Sequence, residues 1–519
     1  MFIKSYIAKI KSEFSGYNLQ KFSKDLMAGL TVTAVALPLA LAFGVSCGAT
    51  AEAGLVTAII AGLIMSALAG ASYQISGPTG AMSAILVGIV GAQGGIQSMF
   101  VVSVLAGIII ILCAVLKLGR LVSMIPRPVI TGFTSGIALT IALGQIDNFF
   151  GTVSKGANPI EKIGSYFELG FNVNWRALLI GAIVIAIMIA WPKKLNSKIP
   201  SSLVGIIVAT VVSLIFGFGD YVSLVGEIPQ KLILDDRFDF ASINWSEFTS
   251  YISPAFSIAA LALIESLLCG ASASKMKDEK FDANQEIIAQ GVGNIIIPFF
   301  GGVPATAAIA RTSVAIKSGA QTRLCGIIHA IGLLISMFLL APVMAKIPLS
   351  ALAGVLLVTA WRMNEWAEIK TIFSKKMIGG IIKFLATMIS TIVFDLTIAI
   401  VIGIVLSAFI YIYRSSSLKL EKAENGELAV NGPVFFANVS KLEKTFEELS
   451  GVEELTVNIN NVTTIDTTGA SVLYELLEGL KHKGVSVKLV GVNESVLPIM
   501  NKLGYKELLG ESCFVPEAV

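Results

Sequence analysis

Charge is scarce in this chain. Of 519 residues only 14% are Asp, Glu, Lys or Arg, against 55% hydrophobic, and the mean hydropathy is +0.81. That balance excludes a soluble globular protein and marks a chain that crosses a bilayer many times. Histidine is scarcer still, with only His329 and His482, which removes a His-based metal or catalytic cluster. The cysteines (Cys47, Cys113, Cys269, Cys325, Cys513) stand far apart with no Cys-x-x-Cys, so they are expected to be packing thiols without disulfide or metal roles. No nucleotide fingerprint is present, since Gly484 and Gly491 alone do not make a phosphate loop. No nucleophile–base pair is apparent either. An enzyme is therefore not expected, nor a cofactor, nor a nucleic-acid partner. The N-terminus lacks a cleavable signal. Its lysines (Lys4, Lys9, Lys11, Lys21, Lys24) and helically spaced Ile3, Tyr6, Ile7, Ile10 and Phe14 suggest a helix on the cytoplasmic membrane surface or a disordered basic tail.

What is abundant is apolar sequence. Fourteen segments are expected, near 26–46, 52–70, 79–91, 95–116, 127–146, 176–192, 201–218, 251–271, 284–300, 308–319, 323–343, 349–362, 376–391 and 393–413. Asp25 is placed as the N-cap of the first and Pro38 as its kink. With the N-terminus inside, the basic loops at Lys117/Arg120/Arg127, Lys193/Lys194/Lys198, Lys275/Lys277/Lys280 and Lys375/Lys376 all fall inside, with Arg414 and Lys419. The acidic stretch 219–250 falls outside. The expectation is a multi-pass protein of the cytoplasmic membrane with both termini in the cytoplasm.

Two segments are too short to span at about 1.5 Å per residue, and both follow an interrupted stretch. These are Ser76-Gly77-Pro78-Thr79-Gly80 before the third segment and Gly301-Gly302-Val303-Pro304 before the tenth. Glycine and proline cannot hold a regular spanning helix. Each break falls at the third segment of a set of seven, and an odd number inverts the second set. Two half-helix N-termini, each an anion-attracting end, are thus expected to face one gap near the midplane. Common Gly and Pro in membrane helices account for one such break, but less well for two at matching places. The backbone donors expected there are Thr79, Gly80, Ala81 and Ser83 from one half and Ala308, Ile309 and Ala310 from the other, with Arg311 on the first turn. Their small side chains serve tight helix packing equally well. Glu265, among Ala262, Leu263, Leu267 and Leu268, is the sharpest single residue. A carboxylate at that depth costs about 2.5–3.5 kcal/mol or more and points to function by default. It reads either as a coupling site for H⁺ or Na⁺ or as the structural partner of Arg311.

These stretches, with Ile264-Glu265-Ser266-Leu267-Leu268 and Ala310-Arg311-Thr312, resemble the SulP anion transporter family from about residue 20 onward. The resemblance implies a seven-plus-seven inverted repeat of fourteen segments. It implies a core (about 25–116 and 251–343) that moves like an elevator against a gate (about 127–218 and 349–414), in a homodimer. Phe43 matches an aromatic position lining the family's site. The Gln that many members carry after the proline matched by Pro38 is Leu39 here. Sodium-coupled members show Asp at the Glu265 position and Thr one turn later, where this chain has Cys269. A thiol is a poor Na⁺ ligand, which favours H⁺.

After residues 1–24 and a transport domain over 25–414, a linker is expected at 415–426 and a cytosolic α/β domain at 427–519, similar to STAS domains. Its strands are Glu454 to Asn460 and Val485 to Val490. Its Asp466-Thr467-Thr468-Gly469 looks like the phosphorylatable loop of anti-sigma-factor antagonists, with Thr468 as the hydroxyl. Helix capping by Asp466 or Thr467 explains the same residues. The leading expectation is an H⁺-coupled secondary transporter of a small oxyanion or carboxylate. The competitors are Na⁺-coupled bicarbonate uptake, an uncoupled exchanger or channel, and a membrane sensor signalling through the C-terminal domain.

Overall fold

A computed structural model describes residues 2–92, 95–117, 126–155, 159–192, 199–228, 230–243, 245–279, 281–394, 396–423, 426–449, 452–510 and 514–516. Arg120, Lys193, Lys194, Lys198, Lys280 and Cys513 lie outside the described residues. The chain divides into two compact units, Met1–Ile404 and Val405–Val519.

In the first unit, six described helices are long and apolar enough to cross a membrane, and shorter apolar helices accompany them. Helix α1 (Phe2–Glu13) precedes α2 (Leu19–Ser46), α3 (Ala51–Leu68), strand β1 (Ser76–Gly77), α4 (Gly80–Ala92) and α5 (Ile96–Val115). The same order of elements returns as α11 (Phe248–Lys277), α12 (Ala283–Ile296), β2 (Thr306–Ala307), α13 (Ile309–Lys317) and α14 (Leu324–Met344). Between and after these series lie α6 (Arg127–Gly144), α7 (Ile146–Phe150), α8 (Pro159–Leu169), α9 (Trp175–Ala190), α10 (Ser201–Ile215), α15 (Leu349–Met363), α16 (Trp366–Ser374), α17 (Ile378–Val393) and α18 (Leu396–Ser415). The two series interlock: α5 packs on α12, and α14 on α2 and α3. Among the remaining helices α6 packs most closely on α17 and α9 on α15, while α6 also meets α4 and α15 also meets α2. Small residues make the close crossings. A Cβ on Gly54 would stand 2.1 Å from the Ala40 carbonyl oxygen, so α2 and α3 touch backbone to backbone.

Two expectations about the start of the chain are corrected. Asn18, not Asp25, caps α2, accepting from Lys21 N–H at 3.0 Å. Asp25 sits two turns inside, fully buried. It accepts from Gln321 N–H (2.6 Å), Thr322 N–H (3.1 Å), Thr322 Oγ1 (2.7 Å) and Tyr17 Oη (2.9 Å). Pro38 lies inside α2, which continues on both sides of it. The first residues are neither a loose tail nor only a membrane-surface helix. Glu13 on α1 binds Arg323 through Nε (3.0 Å) and Nη2 (2.7 Å), with both side chains almost wholly buried, and Lys9 donates to the Gly70 carbonyl. The basic, amphipathic pattern of α1 hides this, because the partners are 61 and 310 residues away.

The ninth segment also departs from its apolar reading. Helix α12 is 14 residues long and buries a polar row, Glu286, Gln290 and Asn294, at four-residue spacing.

The second unit carries a five-stranded sheet in the order β3 (Lys419–Lys422), β4 (Glu427–Asn431), β5 (Glu454–Asn458), β6 (Ser486–Val492), β7 (Phe514–Pro516). The first pair is antiparallel and the rest parallel. Helices α19 (Val439–Glu447), α20 (Thr467–His482), α21 (Leu497–Lys502) and α22 (Tyr505–Leu509) complete it. Alternate strand residues such as Leu428, Val430, Leu455, Val457, Val487 and Leu489 form the core. Strand β3 occupies part of the expected linker 415–426. It is a charged edge strand, a composition that protects an open edge and reads as linker in sequence.

Removing one partner of a buried ion pair leaves the other charge stranded, at a cost of about 3–5 kcal/mol. Arg323→Met is therefore expected to lower the thermal unfolding midpoint in detergent clearly, and adding Glu13→Gln to recover part of the loss.

Candidate functional site

The two interrupted stretches meet. β1 and β2 pair antiparallel, Ser76 opposite Ala307 and Gly77 opposite Thr306. Extended backbone inside a membrane must find partners within the protein, and side chains supply them. Val303 N–H donates to Thr57 Oγ1 (2.6 Å) and Ala307 N–H to Ser266 Oγ (3.2 Å). Asn294 brackets Ala305, accepting its N–H at 2.8 Å and donating to its carbonyl at 2.9 Å. Gly301 makes the turn into this stretch at φ 84°, where a side chain would meet the Asp236 carbonyl. The short helices α4 and α13 start directly after the pair.

Glu265, midway along α11, lies at the crossing. Its Oε2 accepts from Thr79 Oγ1 (3.0 Å) and Thr306 Oγ1 (2.5 Å), and the two hydroxyls are 3.2 Å apart. One threonine comes from each half, so a single carboxylate oxygen ties both interrupted stretches to α11. Thr79 Oγ1 also accepts Met82 N–H at 3.3 Å, capping α4. Thr79 is thus a side-chain partner of Glu265 more than a backbone donor.

Arg311 is buried at 1% exposure and reaches back across the crossing. Its Nη2 donates to the Pro78 carbonyl at 2.6 Å, while Nη1 is buried with no partner among the described residues. Among the described residues no carboxylate lies within salt-bridge distance of it. The Glu265–Arg311 pair left open by the sequence is therefore not formed: the guanidinium joins the halves through backbone and keeps a spare donor. Gly77 makes room, since a Cβ there would lie 2.5 Å from Nη1.

Ala308 is corrected as a donor. Its N–H is spent on the Ile75 carbonyl at 2.9 Å, because the ladder runs one residue past β2. No side chain caps α13, so the open donors of this end begin at Ile309 and Ala310, whose side chains are exposed. Gly80 and Ala81 are buried at the start of α4, and the Phe43 ring edge lies 3.1 Å from where a Cβ on Gly80 would stand. Ser83 Oγ donates to the Phe43 carbonyl (3.1 Å) or Thr79 carbonyl (3.0 Å), so it fastens α4 to α2. Cys269 turns to Thr312, its thiol 3.4 Å from that hydroxyl, and Thr312 accepts Ile75 N–H at 3.0 Å. No group of three or more His, Cys, Asp or Glu is placed to hold a metal among the described residues.

Thr306, Asn294, Ser266 and Thr57 escaped the sequence reading. A threonine one or two residues after the proline of each interrupted stretch was the one available signal. In the second unit Asp466 caps α20, accepting Gly469 N–H at 2.7 Å and Phe436 N–H at 3.2 Å, and Thr468 is exposed.

The chain matches the model of the "Sulfate permease family" over residues 22–387 and that of the "STAS domain" over 418–515. YvdB of Bacillus subtilis (strain 168), a protein named for sulfate transport, is 34% identical over 98% of each chain. The bicarbonate transporter BicA of Picosynechococcus sp. (strain ATCC 27264 / PCC 7002 / PR-6) is 28% identical over 95% of this chain and 92% of its own. The solved transmembrane domain of a cyanobacterium bicarbonate transporter BicA superposes with a TM-score of 0.66 at 28% identity, covering 75% of this chain and 98% of that one. The murine Slc26a9 anion transporter in the inward-facing state superposes with a TM-score of 0.83 at 17% identity, covering 98% and 92%, a likeness of fold.

Gly77→Ala is expected to push Arg311 off the Pro78 carbonyl. With a charge-assisted contact displaced, anion affinity should fall about tenfold or more, read by equilibrium binding of radiolabelled sulfate and bicarbonate to the purified protein.

Proposed function

The chain belongs to the sulfate permease family, and we propose that it is a secondary active transporter of a small inorganic oxyanion or carboxylate, coupled to protons through Glu265. The observation that carries this reading is the crossing: one carboxylate joined to both half-helices by Thr79 and Thr306, beside an arginine with no acidic partner. Names among the relatives support both sulfate and bicarbonate as candidate anions.

The proposed coupling is electrostatic. Charges in a poorly hydrated interior interact far more strongly than in water. An ionised Glu265 opposes an anion in the gap between α4 and α13. A proton on Glu265 removes that opposition and leaves Arg311, with the N–H groups at Gly80, Ala81, Ile309 and Ala310, as the net attraction. Anion and proton then travel together. The membrane potential opposes anion uptake by about 2.3 kcal/mol per charge per 100 mV, and a proton carried alongside offsets one charge.

The repeated order of elements supports an inverted repeat, and the closer packing of α6 with α17 and α9 with α15 than with α2 or α4 supports a core sliding against a gate. In this reading the protein works as a homodimer in the cytoplasmic membrane with both termini inside. The exposed Thr468 in the C-terminal domain serves as a phosphorylation site for regulation. The family is one of transporters, and a catalytic role is not proposed.

A specific observation favours a second reading. Glu265, Thr79 and Thr306 present three oxygen atoms within 3.2 Å of one another, a hard donor set of the kind that takes Na⁺. Uptake of labelled sulfate, bicarbonate and dicarboxylates into proteoliposomes, under a pH gradient or a Na⁺ gradient, separates the two. The wild type should respond to the pH gradient, and Glu265→Gln should lose that response. Drive by Na⁺ alone selects the second reading, and an unchanged pH response in the variant rules out Glu265 as the coupling group.

A further inference from the structure

A small, open cleft lies outside the crossing. Its walls include Ser46 at the end of α2, Ser83 and Val87 on α4, Thr140 and Ile141 on α6, and Lys162 on α8. Helices α2 and α4 both end on this side. The cleft therefore opens on the face opposite to the one where α2 begins.

One apolar contact separates it from the site. Ile141 Cδ1 would lie 2.5 Å from a Cβ placed on Gly80, and the Phe43 ring edge 3.1 Å from the same point. Ile141 and Phe43 thus close over the first residue of α4, where the anion donors start. Ile141 belongs to both places, lining the cleft and covering Gly80.

The hydrogen bonding of the lining groups sorts them. Thr140 donates to the Gly136 carbonyl at 3.1 Å, and Ser83 donates inside its own helix pair, so neither has a proton to offer the cleft. Ser46 accepts from Gln145 Nε2 at 3.2 Å and keeps its own hydroxyl hydrogen. Lys162 brings an ammonium group, and no described carboxylate lies within 4 Å of it. Asp147, on neighbouring α7, spends its carboxylate on Ser154 Oγ (2.5 Å) and Tyr166 Oη (2.8 Å). The cleft therefore carries an ammonium group with no described carboxylate within 4 Å and a hydroxyl donor, beside the Ile141 side chain that covers Gly80.

We propose that this cleft is a capture vestibule, a second and weaker anion site at which Lys162 and Ser46 hold the small anion before the Ile141–Phe43 partition opens. The proposal rests on the transport reading and deepens it by adding where the anion waits. A cation that is not ion-paired at the mouth of a low-dielectric cleft draws anions in and raises their capture rate, and salt screens the effect.

The test uses the full chain in oriented proteoliposomes, with initial rates of labelled sulfate and bicarbonate uptake measured from each face at low and high ionic strength. From the vestibule face, Lys162→Gln should raise KM about two- to five-fold at low ionic strength, as for one exposed charge contact. The difference should shrink as salt is added. KM from the opposite face should stay unchanged, the matching loss of Vmax/KM there appearing in the maximal rate as slower release, and Lys162→Arg should keep the wild-type KM. An unshifted KM in Lys162→Gln at low ionic strength overturns the proposal, as does an equal shift from both faces. A wild type that moves neither anion under any gradient defeats the transport reading itself, and the vestibule with it. Normal wild-type flux with an unaffected variant defeats the vestibule alone.

Discussion

Everything at the centre of this protein follows from the obligation of buried backbone to be hydrogen-bonded. Glycine and proline at residues 76–80 and 301–304 deny the chain a continuous helix. The peptide groups released there cannot turn to water. The two stretches answer each other as a short antiparallel pair, and what the pair leaves over is met by Thr57, Ser266 and Asn294. That solution brings residues far apart in sequence to one point. It also fixes where α4 and α13 begin, and with them where their open N–H groups point.

The side chains at the crossing are shared between the halves. Glu265 accepts a hydroxyl from each, and Arg311 leaves its own helix to bind the carbonyl of Pro78. A carboxylate and a guanidinium in one buried region would ordinarily pair. Here each instead holds the opposite half, leaving one guanidinium nitrogen without a partner. That separation lets the two groups have different duties in the proposed cycle: one senses the proton and the other meets the anion.

The sequence carried the breaks, the short helices after them and the buried acid, because each violates what a spanning helix tolerates. It also carried the alternating strands of the C-terminal unit. It did not carry partners. Thr306 reads as one more small residue until the ladder register places it opposite Gly77, beside Glu265. Ala308 looks like an open donor until the same register gives its N–H to Ile75. Asp25 looks like a cap because caps are local, while its partners Gln321 and Thr322 stand 296 and 297 residues further along the chain. The polar row of α12 was masked by its apolar neighbours. Local chemistry is legible in one dimension, whereas a hydrogen bond across about 200 residues or more needs the fold.

The buried pair of Glu13 and Arg323 bears on how the molecule is assembled. The two residues are separated by 310 positions. Synthesis runs from the N-terminus, so α1 leaves the ribosome long before its arginine exists. During that interval Glu13 has no partner, and α1 cannot take its final place until α14 has been inserted. A helix made before α2 to α14 thus docks after them, and its docking can occur only in a chain whose second series is already in place.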